Sequence, residues 1–157
     1  MKEYIHGGDI YRHPDVLDYS ANINPLGTPP GVIRAAKDSM ERVCHYPDAC
    51  QEKLKQALAE YEQVPVEWLI CGNGAAELIF ALVQAVKPKR ALVLAPTFAE
   101  YAQALEAVGC EVNREILKKE DGFTLQDRIL DRLKKEDLQM VFLCNPNNPT
   151  GILMDSK

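Results

Sequence analysis

Gln139-Met140-Val141-Phe142-Leu143-Cys144-Asn145-Pro146-Asn147-Asn148-Pro149-Thr150-Gly151 is the stretch whose reading decides the fold. Its first half, residues 140–144, is a short apolar run without helical period, which predicts a strand buried on both faces. Its second half cannot continue that strand, because Pro146 and Pro149 remove ladder donors and Gly151 frees the chain to turn. A parallel strand that stops abruptly in a polar loop is where open α/β sheets place ligands, at the carboxyl edge. Asn145, Asn147 and Asn148 are therefore candidates for presenting amide groups to a site. The same residues also make ordinary turns, and local chemistry leaves the two readings level.

Asn-Pro-Asn-Asn-Pro-Thr-Gly resembles the signature of the fold-type I pyridoxal-phosphate enzymes, the aspartate-aminotransferase superfamily. The resemblance implies pyridoxal 5'-phosphate as cofactor. It gives Asn148, directly before Pro-Thr-Gly, a hydrogen bond to the phenolic oxygen of the cofactor ring.

Outward from this loop, the chain alternates strand and helix. Residues 68–71, 91–95 and 110–117 read as three further strands, the last with the weaker alternation of a sheet edge. Helices are expected over residues 75–86, 98–108 and around Leu125, Ile129, Leu130 and Leu133. Alternation of this kind predicts an α/β fold, a mostly parallel sheet with helices on both faces. Before it, residues 1–30 form an irregular arm rich in turn formers. Helices follow at residues 31–43, with Val32, Ala35, Ala36, Met40 and Val43 at helical spacing, and at residues 50–62, with Leu54, Ala57, Leu58 and Tyr61 on one face. The expected division is an arm with helices over 1–64 and, by the resemblance, an incomplete pyridoxal-phosphate-binding large domain over 65–157.

With 157 residues, 46% apolar and 26% charged, the chain is long enough for a real core and is globular. A net charge of −5 without a basic cluster argues against nucleic acid as a partner. No run is apolar enough to span a bilayer, and the N-terminus lacks the layout of a signal peptide. Five cysteines without a C-x-x-C pair read as reduced core residues of a cytoplasmic protein, with no metal site.

Gly72-Asn73-Gly74-Ala75-Ala76-Glu77 lies between a strand and a helix, where a bent backbone and unpaired helix amides suit an anion. On its own, G-x-G is weak, and an ordinary tight turn with Asn73 capping the helix is the better reading of these residues. The resembling family holds the cofactor phosphate at this turn, which implies Gly74, Ala75 and Ala76. Ala75 and Ala76 stand where many members carry a hydroxyl, so backbone amides would bear more of that contact. Phe98, just beyond the second strand, reads from its surroundings as a core phenylalanine at a helix start; the resemblance instead matches it to the aromatic that stacks on the cofactor ring, whereas Tyr101 reads as structural. His45-Tyr46-Pro47-Asp48 is similar to an Arg-Tyr-Pro segment of histidinol-phosphate aminotransferases. There the tyrosine reaches the neighbouring subunit's cofactor phosphate across a homodimer interface, which implies that role for Tyr46; the residues by themselves fit a tyrosine anchoring a loop equally well.

The arm narrows the family. His6-Gly7-Gly8-Asp9-Ile10-Tyr11 and Asp18-Tyr19-Ser20-Ala21-Asn22-Ile23-Asn24-Pro25-Leu26-Gly27 resemble the start of threonine-phosphate decarboxylases. By that resemblance His6, Gly7 and Asn22, with Asn148, contact a small phosphorylated amino-acid substrate. The implied reaction is decarboxylation of L-threonine O-3-phosphate to aminopropanol phosphate in cobalamin biosynthesis. A histidinol-phosphate-type aminotransferase and a non-catalytic phosphate-ligand-binding fragment are the alternatives. In the family the Schiff-base lysine, the aspartate at the pyridinium nitrogen and the carboxylate-binding arginine all follow Pro-Thr-Gly. No catalytic residue is expected within these 157 residues, and the chain alone is expected to be inactive.

Overall fold

A computed structural model describes residues 7–155. The chain divides into two compact units, residues 1–66 and 67–157.

The second unit is built on β1, Arg90–Ala95, whose inner residues Ala91, Leu92, Val93 and Leu94 are all buried. Such a run has no polar face to show to water, so it must be covered on both sides. Flanking it in parallel are β2, Glu111–Ile116, and β3, Met140–Phe142, in the order β2-β1-β3. One face packs against α3, Gly74–Val86, and α4, Ala99–Ala107, in a cluster of Val83, Ala91, Val93, Ala104, Leu105 and Cys110. The opposite face, Leu92 and Leu94, meets Leu117 and Ile129, the latter on α5, Arg128–Lys135. Full burial of Leu92 and Leu105 contributes about 2 kcal/mol each before cavity effects. The parallel sheet with helices on both faces is thus the architecture found, and β2 lies at an edge as its weak alternation predicts.

Three expectations are corrected. Residues 69–71 form no strand: they follow a 3-10 turn, Val66–Trp68, and Trp68 and Ile70 are each 75% exposed. A strand exists only through a ladder partner, and no described segment offers one here. β3 is not buried on both faces, since Val141 and Leu143 are exposed, because it forms the other edge of the sheet. Of the cysteines only Cys110 is a buried core residue; Cys71 and Cys144 are half-buried, and Cys44 and Cys50 are exposed on a unit with little core.

The first unit carries α1, Pro30–Ser39, opened by Pro30 at its first position, and α2, Glu52–Glu62. Asp48 accepts the backbone N–H of Glu52 (2.9 Å) and of Cys50 (3.0 Å), fixing the entry to α2. Those two bonds, Glu52 first, hold its carboxyl below the ordinary range. Neither helix buries a residue, so the apolar positions read from spacing do not form a core within this unit.

Candidate functional site

β1 and β3 run side by side in register, Val93 beside Phe142, so the loops that follow them leave the same edge together. Asn147 joins the two loops. It is 5% exposed, and its amide donates to the carbonyl of Pro96 (3.1 Å) and to Oγ1 of Thr150 (2.8 Å). Its carbonyl oxygen accepts from Oγ1 of Thr97 (2.8 Å). Asn145 is likewise occupied, accepting the backbone N–H of Met154 (2.8 Å). Both amides serve the loop itself and are not presented to a ligand, which corrects the reading of all three asparagines as equal candidates. Asn148 differs: it is half-buried, its backbone N–H donates to Sγ of Cys144 (3.4 Å), and its side-chain amide has no partner among the described residues.

Phe98, the residue before α4, sits half-buried across this junction. Its ring meets Tyr101 edge-on (5.6 Å, 79°), and Tyr101 stacks on Phe142 of β3 (4.6 Å, 10°). Burial, then a hydrogen bond with Cys144, pushes the Tyr101 hydroxyl up to about 12, so it stays neutral. Tyr101 is therefore a packing residue, in line with its sequence reading.

α3 leads into β1 through residues 87–89 and packs on the sheet through Val83 and Ile79, so it runs back along the strand with its N-terminus toward the carboxyl edge. Gly74 opens it with φ +80, and a Cβ there would meet nothing within 4 Å. A left-handed residue beside open space is a position that favours glycine and leaves room for a ligand. Asn73 does not cap the helix. Instead the Glu77 carboxylate accepts both its backbone N–H (2.5 Å) and its side-chain amide (3.1 Å). Among the described residues no side chain takes the first-turn amides, so Ala75 and Ala76 offer donors at the positive end of the helix, which suits a phosphate.

In the first unit, the arm closes on itself at two of its candidate residues. A side chain at Gly7 would lie 1.8 Å from the carbonyl oxygen of Ser20, so only glycine permits this backbone approach. Gly8 N–H donates to Oγ of Ser20 (2.8 Å), and Ser20 in turn donates to Asp18. Gly7 is thereby brought beside Ser20-Ala21-Asn22, with Asn22 exposed. His6 lies outside the described residues. Tyr46 is fully exposed and shares a cleft with Arg42, His45 and Lys53. Thr97 and Cys144 are the positions that sequence reasoning missed. Their importance comes from partners in other loops, and no local pattern marks them.

Among the described residues, no group of three or more His, Cys, Asp or Glu could hold a metal ion, and no helix is long and apolar enough to cross a membrane. The family description "Aminotransferase class I and II" matches residues 14–157. The chain is 48% identical to threonine-phosphate decarboxylase of Salmonella typhimurium over 156 residues, covering 94% of this chain and 43% of that protein. It is 38% identical to a histidinol-phosphate aminotransferase of Desulfitobacterium hafniense, covering 89% and 41%. The crystal structure of L-threonine-O-3-phosphate decarboxylase from Porphyromonas gingivalis superposes with a TM-score of 0.69 at 25% identity, over 85% of this chain and 38% of that one. The chain thus spans less than half the length of the relatives it matches. A match that takes in all but the first 13 residues settles the kinship: this chain belongs to the class I and II aminotransferase family.

Proposed function

We propose that this chain supplies the phosphate, ring and hydroxyl contacts for pyridoxal 5'-phosphate in an enzyme that decarboxylates L-threonine O-3-phosphate to aminopropanol phosphate, a cobalamin-biosynthesis step. The observation that carries this reading is the Asn148 side-chain amide, without a partner among the described residues, on a loop tied to the one bearing Phe98. The residues present suit the cofactor's parts. The free amides of Ala75 and Ala76 beside Gly74 take the phosphate, Phe98 lies against the ring, and Asn148 donates to the phenolic oxygen. When bound, the cofactor supplies the electron sink that lets the substrate carboxylate leave as carbon dioxide. In this scheme His6, Gly7 and Asn22 grip the substrate phosphate, and Asn148 faces the substrate as well. Tyr46 reaches the second subunit's cofactor phosphate in a cytoplasmic homodimer. Residues 1–64 act as arm and helices, and 65–157 as the incomplete cofactor-binding domain.

A half-buried Tyr101 that stays neutral keeps charge away from the ring-side junction, and the tied loops hold Phe98 and Asn148 in fixed orientation. The resembling family sets its Schiff-base lysine in a Ser-x-x-Lys segment, none of the lysines here stands in one, and the 157-residue chain alone does not turn over. Titration with pyridoxal 5'-phosphate, followed by absorbance, should show saturable binding that Asn148→Ala weakens about tenfold, the worth of one hydrogen bond to a charged group. Carbon dioxide release from threonine phosphate by the chain alone would refute the inactivity. The 38% identity to a histidinol-phosphate aminotransferase favours amino transfer as the second reading. Sequencing the coding DNA past codon 157 and assaying any longer product separates the two. Carbon dioxide release supports decarboxylation, and 2-oxoglutarate-dependent amino transfer supports the other.

A further inference from the structure

Asn147 and Asn148 are neighbours with identical side chains and opposite fates. One amide is saturated by internal partners; the other has none among the described residues. We infer that Asn147, with Thr97, is a positioning device that locks the Phe98 loop to the Asn148 loop, so that the two groups meet the cofactor as one rigid unit. The inference rests on the proposed function for the identity of the ligand, and on geometry alone for the lock.

The polar half of the lock spans fifty residues of sequence: Thr97 Oγ1 to Asn147 Oδ1 at 2.8 Å, and Asn147 Nδ2 to the Pro96 carbonyl at 3.1 Å. Below Asn147, its carbonyl accepts the N–H of Gly151 (2.6 Å) and its N–H donates to the carbonyl of Ile152 (2.8 Å), closing the turn that carries Asn148. Thr150 fills the remaining donor of the side-chain amide. A second tether joins the same two residues by another route. The Phe98 ring abuts Tyr101, Tyr101 stacks on Phe142 of β3, and, two residues on, the Cys144 sulfur accepts the backbone N–H of Asn148. Two independent tethers between one aromatic and one amide do more than hold a loop shut. They set the relative pose of the two groups, which is what preorganised recognition of a flat, hydroxylated ring requires.

Asn147→Ala would strand several buried partners and could unfold the loop, so the informative variant is Thr97→Val, which keeps the shape and deletes one bond. Its control is Thr97→Ser, which restores the hydroxyl. In the 157-residue chain titrated with pyridoxal 5'-phosphate, Thr97→Val should lose about tenfold in affinity and Thr97→Ser should recover it. Asn148→Ala should cost less in the Thr97→Val background than in the native one, because a mispositioned amide has less to lose. Additive losses, or native affinity in Thr97→Val, would overturn the inference. If the native chain shows no saturable binding, the cofactor reading falls by itself. The lock is then decided by NMR of the free chain. Broadening or displacement of the Asn148 side-chain amide and Phe98 ring signals in Thr97→Val, absent in Thr97→Ser, upholds it; unchanged signals in both refute it.

Discussion

The two flanks of β1 solve the problem of a sheet edge in different ways. On the β2 side the chain closes the edge with its own charges. Glu115, 5% exposed, accepts Nε of Arg128 (2.6 Å) and a guanidinium N–H of Arg132 (2.7 Å). The same arginines donate onward to the β2 carbonyls of Ile116 and Arg114, both at 3.1 Å, so α5 satisfies carbonyls beyond the β1 ladder. On the β3 side nothing comparable is found among the described residues. The strand has three residues, and Val141 and Leu143 stand exposed. The difference shows what local sequence can finish unaided. A helix that follows an edge strand by a dozen residues can cap it, whereas an edge whose cover is not local stays bare. The loops of the candidate site leave from β1 and from this barer flank.

The central strand sets the scale for that contrast, since it serves both flanks. Leu92→Ala deletes a fully buried side chain of the α5-side cluster and should cost about 3 kcal/mol in urea unfolding. A loss below about 1 kcal/mol would mean that β1 is not the common core.

Next in size is the charged edge. Glu115→Gln removes the anion shared by Arg128 and Arg132 and should cost about 2 kcal/mol, tempered because both arginines can still reach water. Neutral behaviour would mean that the β2 edge is held by packing alone. The same residue predicts a pH dependence. Burial alone would raise the Glu115 carboxyl, but the hydrogen bonds from Arg132 and Arg128 outweigh it, and its pKa in the folded protein lies below the ordinary value. A group depressed on folding stabilises fully above its unfolded pKa and loses that contribution as pH falls through the folded one. Stability should therefore drop as pH falls below about 4.3, and Glu115→Gln should flatten part of that drop.

Most of the elements around β1 were legible because their signals are local. The apolar run 91–94 demands cover on both faces, and the apolar spacing around Leu125–Leu133 marks a helix that begins within a few residues of where α5 does. What was not legible depended on distant partners. Residues 69–71 have strand composition, yet a strand needs a ladder that the run itself cannot encode. The stripes on α1 and α2 predict helices correctly but say nothing of burial, which belongs to whatever faces them. Asn147 and Asn148 are indistinguishable as letters. The difference lies in partners, since Asn147 finds Pro96 and Thr97 across from another loop while the side chain of Asn148 finds none among the described residues.

The smallest expected effect tests the bare flank directly. Val141 is 36% exposed on a three-residue edge strand, and its ladder bonds to β1 are backbone bonds that a side-chain change leaves intact. Val141→Thr replaces a methyl by a hydroxyl that water can reach, keeps the β-branch that suits a strand, and should shift stability by less than about 0.5 kcal/mol. The equivalent change at Val93, 1% exposed between α3 and α4, places that hydroxyl where no water compensates it and should cost about 1–3 kcal/mol. Urea midpoints of the two variants, read side by side, measure how much cover β3 has. If Val141→Thr costs as much as Val93→Thr, the β3 flank is closed in solution, and the asymmetry between the two edges of the sheet disappears.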